Sequence, residues 1–260
     1  PGVGKTMLAR AVATSVDCSF KRVQFTPDLL PSDVTGVNVF NQKTREFEFN
    51  AGPVFANVVL GDEINRAPPK TQASLLEAME ESQVTVDGDT RPLPDPFVVI
   101  ATQNDIESGR TYELPMAEID RFMKKLELGY PEEAEETELL DRTRGTHPIR
   151  SLDAVATVEE LRAARRTVGE VDAREPVRNY VTRLARYTRE NARLGVSPRG
   201  SIAAVRAAQA RAILAGRSFV TPDDVQAELV TVWSHRIDPG NAEPSGRAVV
   251  EAALERVPVE

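Results

Sequence analysis

The sequence has one cysteine and two histidines in 260 residues, too few for a disulfide framework or the usual Cys/His zinc site. A reducing compartment, the cytoplasm, and chemistry without zinc are therefore expected. Long apolar runs are lacking as well. The longest unbroken one is about Phe97 to Ala101, far short of the roughly 18 residues that cross a bilayer, so no membrane span is expected. Aromatic residues make up only 5%, and the net charge is -8, with the first half the more acidic. Tight nonspecific binding to nucleic acid needs a positive field, and single strands need aromatic stacking platforms. Nucleic acid is thus not expected as the main partner. What remains is an ordinary globular mixture, 41% hydrophobic and 28% charged, in a length that suits one large domain or two modest ones.

Residues Lys5 to Val16 are rich in Ala and Leu at helical spacing, so a helix is expected directly after Pro1-Gly2-Val3-Gly4. β-prone runs follow at Phe20–Phe25, Asn57–Leu60, Pro96–Ala101 and Lys124–Leu128, separated by helical stretches at Lys70–Glu81 and Glu132–Arg142. That alternation predicts an α/β fold with a parallel sheet. Val37–Phe49 and Gln83–Leu93 interrupt it as strand, turn, strand, with Asn41-Gln42-Lys43 and Asp87-Gly88 at the tips, and read as inserted β-hairpins. Beyond Tyr130-Pro131 the β-prone runs stop. Val158–Arg166, Pro176–Arg193, Pro198–Ala215 and Pro222–Trp233 predict an all-α second domain, with helix starts marked at Ser197-Pro198 and Thr221-Pro222-Asp223-Asp224. The expected division is 1–145 and 146–260.

Gly4-Lys5-Thr6 completes the pattern G-x-x-x-x-G-K-[ST], whose first glycine would fall two residues before Pro1. The chain therefore begins inside a phosphate loop and reads as N-terminally truncated, with the first strand of the sheet missing and weak ATP binding expected of a polypeptide that starts at Pro1. The physics of the motif is still legible. Small residues let the loop Pro1-Gly2-Val3-Gly4-Lys5-Thr6-Met7 curl round phosphate oxygens at a helix N-terminus, with the backbone N–H groups from Gly2 onward as donors. Lys5 would neutralise β/γ charge, and the Thr6 hydroxyl would ligate Mg²⁺. The bland alternative is a helix start with Pro and Gly. Val58-Val59-Leu60-Gly61-Asp62-Glu63 is a buried strand that ends in two carboxylates, as expected where a parallel strand reaches the ligand edge of its sheet. Asp62 would hold the Mg²⁺ shell and Glu63 would orient the attacking water. A third strand, Val98 to Ala101, runs into Thr102-Gln103-Asn104, where Asn104 could hydrogen-bond that water or the γ-phosphate.

With these segments in view, the chain resembles AAA+ ATPases of the MoxR family over nearly all of its length. The resemblance is carried by residues 24–33 (QFTPDLLPSD), 62–72 (DEINRAPPKTQ), Ala101-Thr102-Gln103-Asn104 and Asp120-Arg121-Phe122. It implies Mg-dependent ATP hydrolysis in a ring, a hexamer, that remodels or matures a protein client, with a von Willebrand factor A domain protein as partner. It also implies that Arg121 is an arginine finger acting on a neighbouring subunit, that Arg199 is the sensor arginine of a helical lid, and that both hairpins face the pore. The chain departs from the family pattern at Asp105, Arg110, Glu113 and Met116.

Two rival readings stand beside this one. An MCM-related DNA-remodelling ring would favour cationic hairpin tips, whereas Lys43 and Arg45 stand beside Glu46 and Glu48, and Arg91 beside Asp87 and Asp89. A non-hydrolysing ATP-bound scaffold is the other. For the remaining candidates the reading is structural: Cys18 is a small buried hydrophobe, His147 a linker residue, His235 a helix-end cation, and the arginines from Arg178 to Arg193 a solvated or subunit-facing surface.

Overall fold

The computed structural model describes residues 2–103, 111–142, 148–241 and 243–259. The chain forms two compact units, one of Pro1–Leu114 with Leu128–Arg162, the other of Pro115–Glu127 with Ala163–Glu260. The division expected at residue 145 lies outside the described residues.

In the first unit, helix α1 (Lys5–Ser15) packs on a parallel sheet built from β1 (Phe20–Gln24), β4 (Val58–Asp62) and β7 (Val98–Ala101), in the order β1-β4-β7. The central strand β4 is buried from Val58 to Gly61. A continuous apolar run is what a strand covered on both faces requires. Ala13, Cys18 and Val58 form a small core with Phe20, Ile100, Val158 and Leu161 against it, so Cys18 is the buried hydrophobe expected. Between β1 and β4 lie a short helix α2 (Pro31–Thr35) and the antiparallel hairpin of β2 (Gly36–Asn41) and β3 (Glu46–Ala51). Helix α3 (Pro69–Glu81), started by proline at its first position, leads into the second hairpin, β5 (Gln83–Val86) and β6 (Asp89–Pro92). Asp87 and Gly88 both have positive φ, the backbone that a two-residue hairpin turn demands. Helix α5 (Glu133–Arg142) is solvated along residues 133–140.

The second unit contains α4 (Met116–Ile119), α7 (Glu175–Asn191), α8 (Pro198–Leu214), α9 (Pro222–Trp233) and α10 (Gly246–Arg256), with the division of the units falling within α6 (Val158–Glu170). Its core gathers Tyr180, Leu184, Ala208, Leu229, Trp233 and Val249. The only tryptophan is fully buried, and its indole N–H donates to Gly200 O at 2.8 Å. Ser197 caps α8 by accepting from Gly200 N. Thr221 and Asp224 form a capping box on α9, and Asp224 also binds Arg217 at 2.6 Å. Arg217 and the Thr221 donors hold that carboxyl down at about 2. Among the described residues no helix is long and apolar enough to cross a membrane.

Two expectations about elements need correction. Lys124–Leu128 is not a strand: Lys125 N donates to Thr231 O at 2.8 Å and Lys124 pairs with Glu228, so this backbone is used against α9 instead of a ladder. Helix α10 lies outside the helices expected from the sequence, although Ser245 caps it and Val249, Val250 and Ala253 bury one face.

Candidate functional site

Parallel strands bring their C-terminal ends to one edge of a sheet. Here Gln24 lies in register with Asp62, and Gly61 with Ala101, so Gln24, Asp62 and Thr102 emerge side by side. Asp62 and Glu63 are partly withdrawn from water, with side chains 15% and 23% exposed. Glu63 has φ 56° and ψ 50°, a left-handed conformation that costs a residue with a Cβ about 1 to 2 kcal/mol. It is held by Thr102, whose Oγ1 accepts from Glu63 N at 2.9 Å and donates to Asp62 Oδ1 at 2.5 Å. One hydroxyl therefore ties the two carboxylates together.

Cationic and amide groups surround the pair. Arg22 donates from Nη2 to Asp62 Oδ2 at 2.6 Å and to Gln24 Oε1 at 2.8 Å. Gln24 Nε2 and Arg66 Nη1 each donate to Glu63 Oε2 at 2.8 Å. The Lys5 ammonium donates to Gln103 O at 3.3 Å, one residue beyond the threonine that holds both carboxylates. Lys5, Asp62 and Glu63 thus share one edge of one sheet.

Lys5 stands there because α1 begins there. Gly4 caps the helix at φ 89° with no side-chain cap, and no acidic residue lies in the first turn. A Cβ at Gly2 or Gly4 would meet nothing within 4 Å, so backbone conformation, with φ 80° and 89°, is what requires glycine. The first-turn N–H groups of Lys5, Thr6 and Met7, after Val3 and Gly4, add to the positive end of the helix dipole and suit an oxyanion. Pro1, Asn104, Asp105, Arg110 and His147 lie outside the described residues.

The other two arginines singled out in the sequence, Arg121 and Arg199, belong to the second unit. Arg121 follows Asp120, the C-cap of α4, and Arg199 lies in the first turn of α8 with its Nη1 3.7 Å from Asp120 Oδ2. His235 is not the helix-end cation expected. Burial pushes its pKa down to about 4, so it is neutral at pH 7 and donates from Nε2 to Phe122 O at 3.0 Å. In the arginine-rich helix α7, Arg189 donates to Val196 O and Arg183 to Pro258 O, so part of that surface ties its own unit together. The sequence alone assigns no role to Arg22, Gln24 and Thr102. The available signal was a polar residue at, or just beyond, each strand that ends on the same edge.

Residues 1–124 match the ATPase family associated with various cellular activities (AAA), and residues 184–257 the AAA lid domain. YeaC of Bacillus subtilis is 52% identical over 239 residues, spanning 91% of this chain and 75% of that protein. Chaperone MoxR1 of Mycobacterium tuberculosis is 40% identical over 252 residues, 91% of this chain and 65% of its own. Protein MoxR of Paracoccus denitrificans is 35% identical over 283 residues, 98% of this chain and 82% of its own. A crystal structure of a candidate ATPase from Cytophaga hutchinsonii superposes with a TM-score of 0.92 at 36% identity, over 100% of this chain and 83% of that one. A glycine-capped helix whose lysine reaches the sheet edge that also carries a strand-end carboxylate pair, a separate helical unit and these relatives together make the chain a member of the MoxR family of AAA+ ATPases.

Proposed function

We propose that the first unit binds ATP with Mg²⁺ at the shared edge of β1, β4 and β7 and hydrolyses it to ADP and phosphate. A homo-oligomeric ring of these chains, a hexamer, would use that cycle in the cytoplasm to remodel or mature a protein complex. The observation that carries the reading is the short chain of bonds from Lys5 through Gln103 and Thr102 to Asp62 and Glu63. The loop of residues 1–7 receives the phosphates through the backbone N–H groups of residues 2–7, and Lys5 neutralises their β/γ charge. The Thr6 hydroxyl and the Asp62 carboxylate are hard oxygen donors, the kind that holds Mg²⁺ when phosphate oxygens and water complete its shell. A bound Mg²⁺ would screen the negative charge of the phosphates there. Glu63 orients and polarises the water for in-line attack, Asn104 hydrogen-bonds the water or the γ-phosphate, and Arg121 of a neighbouring subunit and Arg199 meet the transition-state charge. The remodelling role is supported by the kinship with Chaperone MoxR1. A von Willebrand factor A domain partner follows from the family resemblance.

Glu63→Gln in the full-length polypeptide tests both halves. Turnover should fall by about 10² to 10⁴-fold while ATP is still bound, and a protein client should be retained on the stalled variant only with ATP. Unchanged turnover would sink the site, and recovery of nucleic acid in place of protein would favour the DNA-remodelling reading.

A further inference from the structure

Pro115–Glu127 belongs to the second unit although residues of the first unit flank it in sequence, and one side chain accounts for much of that attachment. Arg236, in the 3-10 turn after α9, has a side chain only 1% exposed. Its Nη1 donates to Asp120 O at 2.6 Å and to Asp120 Oδ1 at 2.7 Å, its Nη2 to Phe122 O at 2.6 Å, and its Nε to Val232 O at 2.8 Å. A guanidinium offers five donors in a rigid fork, and here the fork grips the backbone on both sides of Arg121. Asp120 carries the grip further. Ser197 Oγ donates to its carboxylate at 3.0 Å while accepting from Gly200 N at 3.1 Å as the cap of α8, and Arg199 stands 3.7 Å away. The turn that presents Arg121 and the helix start that presents Arg199 are therefore fastened to one carboxylate.

A buried ion pair is a weak source of stability, because desolvation offsets its attraction and apolar residues of the same volume would serve as well. Its geometric specificity is what an apolar pair could not supply. We propose that Arg236 is a positioning residue for hydrolysis: by gripping Asp120 and Phe122 it holds Arg121 in one fixed arrangement. This rests on the assignment of Arg121 as the finger made under the proposed function. A misplacement of 1 Å in such a group costs about 10²-fold in rate.

The test is a double-mutant cycle on kcat in the full-length protein, with Arg121→Ala, Arg236→Gln and the double variant. Arg236→Gln should lower kcat by about 10- to 100-fold in the wild-type background and by no more than about 3-fold once Arg121 is alanine. A purely structural role predicts the same fold-loss in both backgrounds; that result, or an unchanged kcat in Arg236→Gln, overturns the inference alone. An unchanged kcat in Arg121→Ala overturns the finger assignment beneath it. If Arg236→Gln does not fold, Asp120→Asn enters the same cycle, since it keeps the backbone acceptors of Arg236 while removing the charge that reaches Ser197 and Arg199.

Discussion

Glu63 occupies an unfavourable backbone conformation, and the Thr102 hydroxyl repairs part of that cost by taking its N–H. Lys5, Thr6, Asp62 and Glu63 stand out in the sequence as candidates because their spacing is a property of the chain alone. Arg22 and Gln24 do not, since their partners are 40 and 39 residues away and are chosen by strand register. His235 shows the same divide, because its hydrogen-bond acceptor Phe122 is 113 residues distant. Burial is the largest influence on its pKa, with Arg236 and Lys125 pushing the same way and the Phe122 carbonyl and Asp120 pushing back. A group whose folded pKa is depressed favours the fold while it is neutral. The stability it contributes is therefore present above about pH 6.5 and lost as pH falls toward about 4, up to about 3 kcal/mol in all. Urea unfolding of the wild type and His235→Gln across that window measures it. The variant should show a shallower decline, and parallel curves would refute the assignment.

At the scale of elements, both inserted hairpins were readable from alternation and turn residues, but their union was not. Arg91 of β6 lies over the Phe49 ring of β3 at 4.1 Å, and Asn38 of β2 donates to Asp87 at 2.9 Å. The two hairpins therefore behave as one body. Arg91→Ala should cost about 0.5 to 2 kcal/mol, and hydrogen exchange should speed up in both hairpins together. Faster exchange confined to β5 and β6 would show that they are independent. The false strand at Lys124–Leu128 has a related cause. Its β-prone residues permit a strand, but a ladder needs a partner, and Lys125 N bonds to α9 instead.

As a whole molecule the chain has separate buried clusters in its two units. A non-hydrolysable ATP analogue with Mg²⁺, at about 100 times its dissociation constant, should stabilise the unit that binds it by about 2.7 kcal/mol. Calorimetry should show the shift in the wild type and not in Lys5→Ala; an equal shift in both would remove Lys5 from the phosphate site. By itself the sequence determined the class of fold, the two hairpins and the helical second half, and marked Lys5, Thr6, Asp62 and Glu63 as candidates, because periodicity, turn chemistry and motif spacing are local. Only the tertiary structure decided that the Arg121 segment belongs with the helical unit, that Arg236 grips it across 116 residues, and that Thr102 joins Asp62 to Glu63. Such pairings depend on strand register and on which buried donors find acceptors, and these exist only once the chain has folded.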